Sequence, residues 1–106
     1  MADDILQTIK EQVTKDRVVL YMKGDPNMPQ CGFSSAVCQA LRETSRPFVS
    51  YDVLEDDRLR EGIKTFSKWP TIPQLYVDGE FVGGCDIVVG LFESGRLQSV
   101  LDGKQA

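Results

Sequence analysis

Five consecutive apolar residues, Val18-Val19-Leu20-Tyr21-Met22, set between Arg17 and Lys23, constrain this chain more than any other feature. Successive side chains of a strand point to opposite faces, so an uninterrupted apolar run reads as a strand buried on both sides. Such a strand needs cover above and below, and the flanking sequence offers helices. Ile5, Leu6, Ile9 and Val13 recur at helical spacing before it, with Asp3 or Asp4 placed to cap the first turn. Gly24-Asp25-Pro26-Asn27-Met28-Pro29-Gln30 is rich in turn formers and reads as loop. A helical pattern resumes at Cys31, with Phe33, Val37, Cys38 and Leu41 on one side, and ends before Pro47.

Phe48 to Val53 alternates and is rich in β-branched and aromatic residues, which predicts a second strand. Asp56 to Lys68 carries Leu59, Ile63 and Phe66 at helical spacing. Gln74–Val77 and Glu80–Gly83 flank Asp78-Gly79, a strong hairpin signal. Asp86 is placed to cap a helix bearing Ile87, Val88, Leu91 and Phe92, which halts at Gly95 before a short helical tail over 97–101. The predicted order is α-β-α-β-α-β-β-α-α. It resembles the thioredoxin arrangement, so the expected fold class is α/β: a four-stranded mixed β-sheet flanked by helices on both faces. No linker or repeat interrupts the pattern, and a single domain over residues 1–106 is expected.

A formal charge of −4 and the lack of any Lys/Arg-rich run give no electrostatic support for nucleic-acid or anionic-membrane binding. The acidic start, Met1-Ala2-Asp3-Asp4, resembles neither a secretory signal nor a transit peptide. The expected compartment is therefore a reducing cytoplasm. Cys31, Cys38 and Cys85 form no CxxC pair, and histidine is absent. Three thiols cannot complete a four-ligand zinc or iron–sulfur site within one chain. Any such centre needs ligands from a second copy or from a small molecule.

Cys31 sits where the loop turns into a helix. The free amides and dipole of a helix start favour a thiolate, and Lys23 can add a cationic influence if the loop folds back. The other reading of Cys31 is a small buried hydrophobe. Ser34 stands where a dithiol oxidoreductase keeps its second cysteine; a hydroxyl cannot resolve a mixed disulfide, although serine is also an ordinary helix-start residue. In Trp69-Pro70-Thr71-Ile72-Pro73, a cis bond before Pro73 would turn the Ile72 backbone outward, free to pair with an extended ligand. Trp69 reads as a packing residue. Gly83-Gly84 permits close backbone approach, and the helix start beyond it is an anion site. Cys38 falls among core positions.

Together, Tyr21-Met22-Lys23-Gly24, Cys31-Gly32-Phe33-Ser34, Trp69-Pro70-Thr71-Ile72-Pro73-Gln74-Leu75 and Gly83-Gly84-Cys85-Asp86 resemble the CGFS-type monothiol glutaredoxins over essentially the whole chain. The resemblance implies glutathione as a ligand. Lys23 and Arg60 would take its glycyl carboxylate and Ile72 its cysteinyl backbone. The amides of Cys85 and Asp86 would take the γ-glutamyl carboxylate, with the Asp86 side chain on the ammonium. It implies further that two protomers, each giving Cys31 and one glutathione thiolate, ligate a bridging 2Fe-2S cluster and deliver it to acceptor proteins, with BolA-like proteins as further partners. Cys85 would either pair with Cys31 under oxidation or stay inert. The alternative is a glutathione-dependent thiol-disulfide oxidoreductase using Cys31 alone.

Overall fold

The computed structural model describes residues 2–103, with side chains from Asp4 onward. Its elements run α1 (Ala2–Lys15), β1 (Val18–Met22), β2 (Gly24–Asp25), β3 (Met28–Pro29), α2 (Gly32–Glu43), β4 (Val49–Asp52), α3 (Asp57–Ser67), β5 (Gln74–Val77), β6 (Glu80–Gly83), α4 (Cys85–Glu93) and α5 (Leu97–Leu101). The main sheet has the order β4-β1-β5-β6, with β1 parallel to β4 and the other pairs antiparallel. This is the expected thioredoxin-like mixed sheet.

The opening run now has its physical explanation. Val18, Leu20 and Met22 face Val37, Cys38 and Leu41 of α2, Val88 of α4, and Leu97 and Leu101 of α5. Val19 and Tyr21 face the opposite way, into Ile9 and Val13 of α1 and Leu59 and Ile63 of α3. All five β1 residues are buried. At about 1.5–3 kcal/mol for each fully buried large aliphatic side chain, the two half-cores give the sheet a reason to exist only when covered on both faces.

The β5–β6 turn is a two-residue hairpin in which Asp78 and Gly79 both take positive φ, 53° and 81°, the type I′ geometry that matches strand twist. Several boundaries differ from the sequence expectation. The helix α1 already includes Asp3 and Asp4, so neither is its cap, and the Asp3 side chain lies outside the described residues. The segment 24–30 is not plain loop: Gly24 pairs with Pro29 and Asp25 with Met28. Asp25 holds this miniature hairpin by accepting the N–H groups of Asn27 and Met28 at 2.8 and 2.9 Å. Gly24 has φ +87°, and a Cβ there would lie 2.5 Å from the Met28 carbonyl oxygen.

Asp86 does not cap α4. The cap position is Gly84, the helix begins at Cys85, and Asp86 contributes only a first-turn acid beside the helix dipole. Phe33 and Ile87, placed by periodicity among core positions, are 63% and 50% exposed. Both belong to the first turn of a helix and line an open groove rather than the core.

Candidate functional site

The site forms where the end of β1, the starts of α2 and α4, one face of α3 and the 69–73 segment converge. They enclose a groove of about 370 Å³ lined by Lys23, Phe33, Arg60, Lys64, Trp69 to Pro73 and Gly84 to Ile87. Five of the six residues singled out by sequence, namely Lys23, Arg60, Ile72, Cys85 and Asp86, line it together. Cys31 adjoins it, two residues before Phe33, rather than lining it.

Cys31 is the N-cap of α2, with extended backbone at φ −156° and ψ 137°, and its carbonyl accepts the Ser35 N–H at 2.9 Å. Its pKa lies below the ordinary thiol value. The Ser34 amide N–H is the chief cause; the Phe33 N–H, the Lys23 charge and the Ser34 hydroxyl add to it, outweighing the opposing cost of partial burial. Ser34 is fully buried and its Oγ accepts the Lys23 N–H at 3.1 Å, so one hydroxyl ties the end of β1 to the first turn of α2. Ser34 is thus a helix-start residue, as one of its two readings has it, and it also helps to lower the Cys31 pKa, which neither reading foresaw.

Ser34→Ala is expected to raise the pH at which Cys31 ionises. The rise is modest, because the amide of residue 34, the largest influence, remains. Losing the acceptor for the Lys23 N–H should cost about 1 kcal/mol of stability. Thiolate absorbance followed against pH, with a thermal melt beside it, checks both effects.

Cys85 behaves oppositely. Burial, then Asp86, then Cys31 push its thiol above the ordinary value, so the site pairs one sulfur whose ionisation is favoured with one whose ionisation is opposed. Cys38 is buried against Met22, with Sγ and Sδ 3.4 Å apart, and burial raises its pKa; it is a core residue, as expected. Among the described residues no cluster of three or more His, Cys, Asp or Glu side chains could hold a metal ion, and no helix is long and apolar enough to cross a membrane.

Polarity runs along the groove. Arg60 and Lys64 stand four residues apart on one face of α3, whose start is fixed by Asp56 accepting the Arg58 and Leu59 N–H groups. The Nε of Arg60 is buried without a hydrogen-bond partner among the described residues. An orphaned guanidinium nitrogen facing a cavity lined by two lysines is chemically suited to a carboxylate. At the other end, the α4 start offers free amides at Cys85 and Asp86. Between them the Ile72–Pro73 bond is cis, and no backbone hydrogen bond among the described residues closes on Ile72. Gly84 lets α4 reach this segment, for a Cβ there would lie 3.2 Å from the Pro73 carbonyl oxygen.

Lys64 and Trp69 are lining residues that sequence reasoning missed, as are Phe33 and Ile87, which it placed in the core. The Arg60/Lys64 spacing was visible on the predicted helix, but nothing in the pattern said which face met the groove. Trp69 does pack, its ring 6.1 Å from that of Phe81, yet it stays 43% exposed and lines the groove as well.

Comparison with known proteins fits this geometry. The glutaredoxin family profile matches residues 18–82. The chain is 50% identical over 96% of its length to monothiol glutaredoxin-S7, chloroplastic, of Oryza sativa, of which the match covers 61%. It is 52% identical over 89% of its length to an uncharacterized monothiol glutaredoxin ycf64-like of Synechocystis, covering 88% of that protein. The solution structure of reduced poplar apo GrxS14 superposes with a TM-score of 0.79 at 50% identity, covering 92% of this chain and 90% of that one. The chain spans about three-fifths of the length of the first curated relatives it matches.

Proposed function

The chain belongs to the glutaredoxin family, as a monothiol member, and from that premise we propose that it binds glutathione in the groove and carries a 2Fe-2S cluster between two protomers. The observation that carries this reading is a single activated thiolate, with serine in place of a second cysteine, beside a groove polarised for an extended anionic ligand.

The residues present fit glutathione. Its glycyl carboxylate matches the unpartnered Arg60 Nε together with Lys23 and Lys64. Its cysteinyl backbone matches the unpaired N–H and carbonyl of Ile72. Its γ-glutamyl carboxylate matches the amides of Cys85 and Asp86 at the α4 start, and its ammonium matches the Asp86 carboxylate. Bound in this way, the tripeptide supplies a second sulfur beside that of Cys31. Four thiolates are the usual ligand set of a 2Fe-2S cluster, so two such protomers complete the set that neither can supply alone.

The cluster is cargo in this account. Half of its ligands are guests held by charge and hydrogen bonds, which suits release to apo iron–sulfur acceptor proteins. BolA-like proteins are proposed as further partners of the same face. Anaerobic incubation with iron, sulfide and glutathione tests the reading. Visible thiolate-to-iron absorption is expected, and is expected to fail when glutathione is omitted; a colourless protein in the complete mixture would refute it.

The lowered Cys31 pKa also favours a second reading, glutathione-dependent disulfide reduction. The Cys31 thiolate attacks the glutathione sulfur of a glutathionylated substrate, forming a mixed disulfide and expelling the substrate thiolate. A second glutathione thiolate then attacks that mixed disulfide, forming glutathione disulfide and restoring Cys31. Steady-state turnover of a glutathionylated peptide distinguishes this enzyme from a carrier with negligible turnover.

A further inference from the structure

Gln74 is a polar side chain with no solvent exposure at all, on the first residue of β5, and it is not itself among the groove-lining residues. Its backbone is fixed opposite Tyr21 in the sheet. Its Nε2 donates to the Trp69 carbonyl at 3.2 Å and to the Thr71 carbonyl at 3.1 Å. Its Oε1 accepts the Tyr76 hydroxyl at 3.1 Å. A carboxamide can satisfy two carbonyls only with its NH2 end, and the Tyr76 hydroxyl keeps that end turned toward them. Burial pushes the Tyr76 phenol up to about 12, so it remains a donor at neutral pH.

We infer that Gln74 is a positioning residue: locked by Tyr76, its carboxamide braces the 69–73 segment from within, so that the Ile72 backbone and the Trp69 ring are presented to the groove in one arrangement. The inference rests on the groove being the glutathione site. Two other contacts agree with a segment clamped from several sides. The Trp69 N–H donates to Ser67 Oγ at 3.0 Å, and the Trp69 indole Nε1 would stand only 3.5 Å from a Cβ at Gly84. The brace also explains why a fully buried polar group occupies a strand whose next residues, Leu75 to Val77, are apolar. An apolar residue of similar length would serve packing equally well but would leave two carbonyls without partners.

Gln74→Met keeps the length and removes the donors; Tyr76→Phe keeps the ring and releases the carboxamide to turn. The chain has one tryptophan, so its fluorescence reports the braced segment directly in the free protein. Acrylamide quenching of Trp69 is expected to rise in both variants. Glutathione affinity measured by calorimetry is expected to fall about tenfold in Gln74→Met and about threefold in Tyr76→Phe, because an unbraced segment must be ordered on binding. Alkylation of Cys31 by iodoacetamide should stay within about twofold of wild type, since its environment is built by residues 23, 33 and 34. A purely structural role would instead lower melting temperature with no change in Trp69 quenching or affinity, and that result overturns the inference. If Gln74→Met does not fold, unchanged quenching in Tyr76→Phe overturns it. If wild-type protein binds no glutathione, the reading of the groove falls, and the brace stands or falls on the quenching alone.

Discussion

Cys31→Ser is expected to abolish cluster binding and glutathione-dependent turnover completely while leaving the fold intact. The hydroxyl is not ionised near neutral pH and is a harder, weaker partner for iron than a thiolate. The helix-start amides that lower the Cys31 pKa act by favouring an anion, and a serine offers them none. Stability should move the other way. Residue 31 is the N-cap of α2 and makes no side-chain cap hydrogen bond, whereas serine is among the best N-cap residues. The variant should therefore melt at or above the wild-type temperature although it is functionally dead. Visible absorption after reconstitution, with a melting curve on the same sample, checks both halves. Cys38→Ser supplies the contrast: it should retain cluster binding and lose stability, because a hydroxyl would replace the sulfur buried against Met22.

Arg60→Leu is the second large effect. A charge-assisted hydrogen bond from a guanidinium to a carboxylate is worth roughly 1.5–3 kcal/mol, so glutathione affinity should fall by roughly 10- to 100-fold. In the free protein the same side chain leaves a buried Nε without a partner among the described residues, and replacing it by an apolar group relieves that cost. Affinity and stability should therefore separate, with binding much weaker and thermal stability unchanged or raised. That separation is the behaviour of a residue kept for its ligand. Calorimetric titration with glutathione beside a denaturation curve reads both quantities. Equal affinity in wild type and variant would remove Arg60 from the binding site.

The scaffold was largely legible because its signals are local. The β1 run announced a strand covered on both faces, and the two half-cores show why: odd and even residues face different sets of helices. Asp78-Gly79 marked the hairpin that the structure shows. Cys31 was readable as a helix-start sulfur because turn formers precede it and helical periodicity follows. Most of the inaccuracies lie at the ends of elements; the β2–β3 pairing inside 24–30 is the exception. Phe33 and Ile87 obey helical periodicity, yet in the first turns of α2 and α4 they line an open groove, so periodicity did not imply burial there. Asp86 looked like a cap, but the cap lies two residues earlier, at Gly84.

The site was harder to read because its lining comes from segments far apart in the chain. Lys23 and Arg60 face one groove only after β1 and α3 pack on the same sheet. Lys64 shares the Arg60 face, and no local feature marks that face as the one turned to the groove. Gln74 is the clearest case. In sequence it is a polar residue at the start of a strand, and its importance depends on two carbonyls three and five residues back and a hydroxyl two residues on. The family resemblance supplied what spacing could not, a ligand whose charges match those of the groove from end to end.

The central claim is that one chain holds half a ligand set and that glutathione and a second chain supply the rest. Native mass spectrometry of the anaerobically reconstituted protein tests this directly. The account predicts a species of two chains carrying two irons, two sulfides and two glutathione molecules, giving four thiolates around the cluster. Loss of glutathione from it should accompany loss of the cluster. A cluster-loaded single chain, or a loaded dimer without glutathione, would contradict the account.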